Sequence, residues 1–84
     1  MKEKKLLKKI LAGAKNISFR DFVSLLHAFG FQLARTHGSH HIFQHTDIQE
    51  LINIQSVHGQ AKPYQIKQFL ELIEKYNLQI GEKQ

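Results

Sequence analysis

Three imidazoles fall within eight residues, Gly38-Ser39-His40-His41-Ile42-Phe43-Gln44-His45, of a chain that contains no cysteine. Histidine has an unperturbed pKa near ~6.5, so this segment supplies proton donors and acceptors at neutral pH. The absence of thiols excludes a disulfide framework, cysteine nucleophiles and thiolate zinc sites, and it fits a reducing compartment. The chemistry that matches these residues is general acid-base catalysis. One histidine takes a proton from a nucleophile while a second group protonates a leaving atom or steadies the charge that develops. A zinc site built from His37, His40, His41 and His45 is the weaker reading, because their spacing matches no familiar ligand motif and no HExxH is present. We therefore expect neither a metal nor a cofactor.

Something must hold those histidines, and 84 residues allow one small domain. Such a domain buries about 60% of the surface its unfolded chain exposes, which makes it marginally stable. With 42% hydrophobic and 23% charged residues the composition is that of a folded globule, not of a disordered chain. No apolar run approaches the ~18 residues of a membrane span, and the N-terminus lacks the uninterrupted apolar core of a signal peptide. We expect a soluble, cytoplasmic protein. The formal charge of +5 is unevenly spread, since residues 1–20 carry seven basic side chains against Glu3 alone and the remainder is close to −1. Charge by itself thus points to a basic N-terminal segment and not to an RNA-binding body.

Leu6, Leu7, Ile10 and Leu11 recur at helical spacing among lysines, so residues 3–14 are predicted as a short basic amphipathic helix that packs Leu7 and Leu11 on the domain, with Gly13 and Asn16 as end signals. Ser18-Phe19-Arg20-Asp21 has the form of a capping box and predicts a second helix, whose Phe22, Leu25, Leu26 and Phe29 make one apolar stripe and which Gly30 terminates. Phe31 and Leu33 alternate with Gln32 and Ala34 as in a half-buried strand. His37-Gly38-Ser39 is turn chemistry, and His40 to His45 is a second strand. Thr46-Asp47 is another turn, and Leu51 to Ser56 is a third strand with Ile52 and Ile54 on one face. His58-Gly59-Gln60-Ala61 is expected to be a loop. Pro63 opens a last helix running to about Asn77, with Ile66, Phe69, Leu70, Ile73 and Tyr76 at helical spacings.

The expected fold class is α+β: a two-layer α-β-β-β-α domain, like that of double-stranded-RNA-binding domains, with an extra N-terminal helix. We divide the chain into a basic helical arm (1–17), the domain (18–78) and a tail (79–84). Alternation along the second strand puts His40 and Ile42 on one face and His41, Phe43 and His45 on the other. Ile42 and Phe43 are both apolar, so the pattern leaves open which face is buried. If Phe43 points into the core, His40 is exposed and His41 risks burial; if Ile42 does, the two exchange places.

Over roughly residues 18–78 the chain resembles the HicA toxins, small proteins with a double-stranded-RNA-binding-like fold that pair with HicB antitoxins. The resemblance rests on Phe29-Gly30-Phe31, Arg35 ahead of Gly38-Ser39-His40-His41, Phe43-Gln44-His45, His58 after the third strand, and Lys62 at the start of the last helix. It implies an RNA-cleaving toxin that inhibits translation, with mRNA and a HicB-like antitoxin as partners and the histidine of the Gly-Ser-His element, here His40, as its catalytic residue. Two departures are visible. Lys62-Pro63-Tyr64-Gln65 stands where the family has Pro-Lys-Gly-Thr, and the basic helix before residue 18 is additional.

Cleavage of RNA by its own 2′-hydroxyl needs a base near neutral pH and no metal, and one positioned histidine contributes ~10²- to 10⁴-fold. His40 is the candidate base, with His41 as the alternative that strand parity keeps alive. Arg35, His41, His45 and His58 are candidates for the supporting group, and Gly38, Ser39 and Lys62 complete the set of supporting or RNA-binding residues. His27 and His37 read as structural or solvated. Asp47 and Glu50 read as turn and strand-edge residues that would matter only to a magnesium-dependent enzyme. The other function classes are a non-catalytic RNA-binding module and a protein-interaction domain, as in a degenerate toxin.

Overall fold

The computed structural model describes residues 2–81. Along the chain run α1 (Lys2–Leu11), α2 (Phe19–Ala28), β1 (Gln32–His37), β2 (His40–Gln44), β3 (Ile52–Val57), β4 (Gln60–Ala61) and α3 (Pro63–Lys75). The strands form one antiparallel sheet in the order β1-β2-β3-β4, and helices cover one of its faces. This is the expected α+β arrangement of helix, strands and helix, with an additional N-terminal helix. Among the described residues no helix is long and apolar enough to cross a membrane.

The local end signals operate as written in the sequence. Ser18 Oγ accepts from the backbone N–H of Asp21 at 3.0 Å and so caps α2. Gly30, at φ +93°, lets the N–H of Phe31 reach the carbonyl of Leu26 and that of Gly30 reach His27, the double closure of a Schellman motif. The same closure ends α1 at Gly13 and α3 at Asn77. Because the left-handed residue comes at position 13, α1 stops at Leu11, short of residue 14.

The core joins Phe22, Leu25, Leu26 and Phe29 of the α2 segment to Phe43 of β2, Ile52 and Ile54 of β3, and Ile66, Phe69 and Leu72 of α3. Phe69 sits at its centre, with Phe22 and Phe29 packed edge-on at centroid distances of 5.5 and 5.3 Å. Leu72 replaces Leu70 in the innermost α3 stripe; Leu70 and Ile73 only flank the core. In α1 the buried pair is Leu6 and Ile10; Leu7 packs half-buried against the core as expected, whereas Leu11 is 65% exposed. Packing against α2 selects the Leu6–Ile10 ridge, and Lys2 meets Asp21 at 3.4 Å beside it.

Two expectations about the sheet are corrected. The sheet has a fourth strand, since Gln60 and Ala61 pair with Val57 and Ser56 where a loop was expected. His58 (φ +54°) and Gly59 (φ +78°) form the two-residue turn between them, the geometry of a type I′ hairpin. The other correction concerns β1, which is not half-buried: every side chain from Gln32 to His37 is exposed. It is an edge strand, and the helices cover β3 and β4 instead. Phe31, just before it, is the residue that enters the core.

Candidate active site

The β1–β2 hairpin turns through two residues. Gly38 at φ +62° takes the position that only glycine fills cheaply in a type II′ turn, and Ser39 follows. A Cβ at Gly38 would meet nothing within 4 Å, so the requirement is conformational and not steric. A two-residue turn puts His37 directly opposite His40, and the register continues with Thr36 opposite His41 and Arg35 opposite Ile42. A bulge between Leu33 and Arg35 absorbs Ala34, so that Leu33 pairs with Phe43 on the helix-covered side while Arg35 turns to the open side.

Phe43, 2% exposed, resolves the parity question: the face carrying His41, Phe43 and His45 lies toward the helices, and His40 projects from the open face. On β3, Gln55 lies opposite His40 and Asn53 opposite Ile42. The open face at this end therefore carries Arg35, His37, His40, Asn53 and Gln55. His40 Nδ1 is 3.0 Å from Asn53 Oδ1. An amide oxygen only accepts, so Nδ1–H is the donor in this contact, and in the neutral ring that leaves the unshared pair on Nε2, the arrangement a general base needs. Gln55 Nε2 donates to Ser39 Oγ at 2.9 Å and ties the turn to β3. Neither Asn53 nor Gln55 was legible as a site residue, because their role depends on the β2–β3 register.

His41 lies on the other face, half-buried. Its Nδ1–H donates to the Ser39 carbonyl at 3.2 Å and its ring meets Phe19 edge-on at 5.1 Å. His58 is exposed in the β3–β4 turn, at the same end of the sheet as Gly38-Ser39. The start of α2 is anchored there as well, since Phe19 N–H donates to the Gly59 carbonyl at 2.9 Å. Lys62 follows β4 and precedes α3, with its ammonium 5.7 Å from the Tyr64 ring centroid. The unusual Lys62-Pro63-Tyr64-Gln65 segment is well accommodated: Pro63 takes the first helical position and the buried Gln65 side chain accepts from Lys62 N–H at 3.4 Å. Arg35, Gly38, Ser39, His40, His41, His58 and Lys62 are thus gathered at one end of the sheet.

His45 is not among them. At the far end of β2 its Nε2–H donates to the Phe29 carbonyl at 3.0 Å, and its Nδ1 accepts from Asp47 N–H at 3.0 Å. Both nitrogens are occupied, and the ring packs on Phe31 at 5.0 Å. Gly30 makes room for it, since a Cβ there would lie 2.9 Å from His45 Nε2. His27 also has a structural bond, from Nδ1–H to the Phe31 carbonyl at 3.1 Å. Glu50 is engaged near that end by the Tyr76 hydroxyl and by Lys75 at 2.9 Å. The Tyr76 hydrogen bond first, then Lys75, holds the Glu50 carboxyl below the usual carboxylate range.

Two surface grooves lie away from His40. One of about 710 Å³ is lined by Ala28, Gly30, His45 and Asp47 among others, and another of about 420 Å³ lies between α1 and the end of α3. The residues around His40 instead form an open strand surface with hydrogen-bonding side chains in rows, a shape that suits an extended polymer better than an enclosed small molecule.

The family model of the HicA toxins of bacterial toxin-antitoxin systems matches residues 19–74, two-thirds of the chain. The chain belongs to this family, and with it to the toxin side of such a system. Comparison with curated proteins and with solved structures returned no significant match.

Proposed function

We propose that this toxin is a metal-independent endoribonuclease that cleaves mRNA in the cytoplasm and so inhibits translation, with His40 as general base and a HicB-like antitoxin as its inhibitor. The observation that carries the reading is the orientation of His40: on the open face, Nδ1 held by Asn53, Nε2 free. In the reaction His40 Nε2 takes the proton of a ribose 2′-hydroxyl. The 2′-oxygen bonds to the adjacent phosphorus, the bond from phosphorus to the 5′-oxygen breaks, and the departing 5′-oxygen takes a proton from a second donor, leaving a 2′,3′-cyclic phosphate and a 5′-hydroxyl end. Arg35, exposed on the same face, offers a planar two-point donor to the phosphate, and Lys62 and His58 line the approach for neighbouring nucleotides. Gly38 and Ser39 serve by holding the hairpin that aims His40. His41 offers an unshared pair on Nε2 too, but on the helix-covered side of the strand.

Induced expression of the wild type beside His40→Ala and His41→Ala, at equal folded abundance, tests this reading together with cleavage of purified RNA in EDTA. Arrest and cleavage lost only with His40→Ala support it. Loss only with His41→Ala moves the base one residue along, and an inert wild type leaves a binding module or a degenerate toxin.

A further inference from the structure

We propose that His37 is the general acid of the cleavage step, acting across the hairpin from His40; this rests on the reading of His40 as the base. The two are directly paired in the β1–β2 register, which brings the Cβ atoms of opposite residues to about 4.5–5.5 Å on one face of a sheet. The intervening turn has only two residues and is tied to β3 through Gln55 and Ser39, so the pair is held from both strands. Both side chains are exposed, and the structure shows no hydrogen bond from the His37 ring to another described residue. A phosphate seated between the two rings touches a base on one side and a donor on the other.

The other donors fit less well. His41 faces the helices against Phe19, and His45 is bonded through both nitrogens at the far end. His58 lies in the next hairpin turn, beyond the end of β3. Arg35 shares the face, yet a guanidinium does not give up its proton near neutral pH and acts instead as a clamp. Opposite His40 on β3 stands the uncharged Gln55, with Asn53 one row further on, so no carboxylate competes for the proton. In the completed step His40 gains the 2′-hydroxyl proton and the His37 imidazolium gives its own to the departing 5′-oxygen. No oxidant or metal enters the balance, and both rings return to their starting states by exchange with water.

The decisive experiment uses two RNAs that share one mapped cleavage site, one natural and one with sulfur in place of the bridging 5′-oxygen, whose thiolate leaves without protonation. Wild type, His37→Ala, His37→Gln and His40→Ala are compared, with folding checked by circular dichroism. We expect both His37 variants to cleave the natural RNA at least ~10²-fold more slowly and the sulfur-bridged RNA at close to the wild-type rate. His40→Ala should be slow on both. Wild-type rates on the natural RNA, or equal losses on the two RNAs, would overturn His37 as the acid while leaving His40 in place. A wild type inert on both RNAs, or full activity in His40→Ala, removes the base and takes the acid with it.

Discussion

Two histidines bracket β2 and are hydrogen-bonded in opposite ways. His40, beside the hairpin turn, has one ring nitrogen held by Asn53 and the other open to solvent. His45, just past the end of the strand, has both nitrogens committed, to the Phe29 carbonyl and to Asp47 N–H, and its ring stacked edge-on against Phe31. A histidine with a free, oriented nitrogen can exchange a proton with a ligand. One bonded at both positions has spent that capacity on joining the end of α2 to the turn after β2. The residue type is the same in both places, and the hydrogen-bond ledger separates them.

The sharpest way to break this contrast is to truncate each ring. His40→Ala should lower RNA cleavage ~10²- to 10⁴-fold with little change in melting temperature, because the ring is exposed. His45→Ala should do the reverse: cleavage per folded molecule is retained, while stability falls by about 1–3 kcal/mol in denaturant melts as polar partners lose their bonds. Equal loss of activity in both would remove the distinction. Next in size, Gly30→Ala tests the His45 end alone. Its added methyl must tolerate φ +93° and a contact at 2.9 Å with His45 Nε2, so a loss of about 2 kcal/mol is expected.

Asn53→Ala addresses the other end. Freed from the amide, His40 loses its fixed tautomer, and a fall in cleavage on the order of tenfold is expected with stability nearly unchanged. Imidazole 15N shifts offer a direct check, with a proton on Nδ1 of His40 in the wild type and a mixture of tautomers in the variant. The smallest effect belongs to Glu50→Gln. The Glu50 carboxyl is held below its ordinary value of 4.5, so its contribution is present above that pH and disappears as pH falls through the lowered value. Lys75 and Tyr76 are raised by the same contact, from 10.5 and 10.0, so their share persists at neutral pH and is lost on titrating above those values. The variant should melt slightly below wild type at pH 7 and coincide with it in strong acid.

Much was settled by the residues alone, wherever the physics is local. Ser18 announces a helix start because its hydroxyl reaches a backbone N–H three residues on, and Gly13 and Gly30 announce helix ends because few other residues accept a positive φ. Gly38-Ser39 between two extended runs specifies a tight hairpin, and the stripe from Phe22 to Phe29 specifies the face α2 buries. A two-residue turn also implies that residues 37 and 40 face each other; that signal was present for His37, which reads as merely solvated when taken singly. Only the tertiary structure decided the rest, because each remaining question depends on a neighbour distant in sequence. Whether Phe43 or Ile42 turned inward depended on which face the helices covered, and a one-residue slip would have exchanged His40 with His41. The two-residue β4 is too short for any periodicity to show, and it exists because β3 offers it an edge. That Leu6 and Ile10 lie deepest while Leu11 stays exposed came from the fit of α1 against α2, and the different hydrogen bonding of His40 and His45 came from Asn53 on one side and the Phe29 carbonyl on the other.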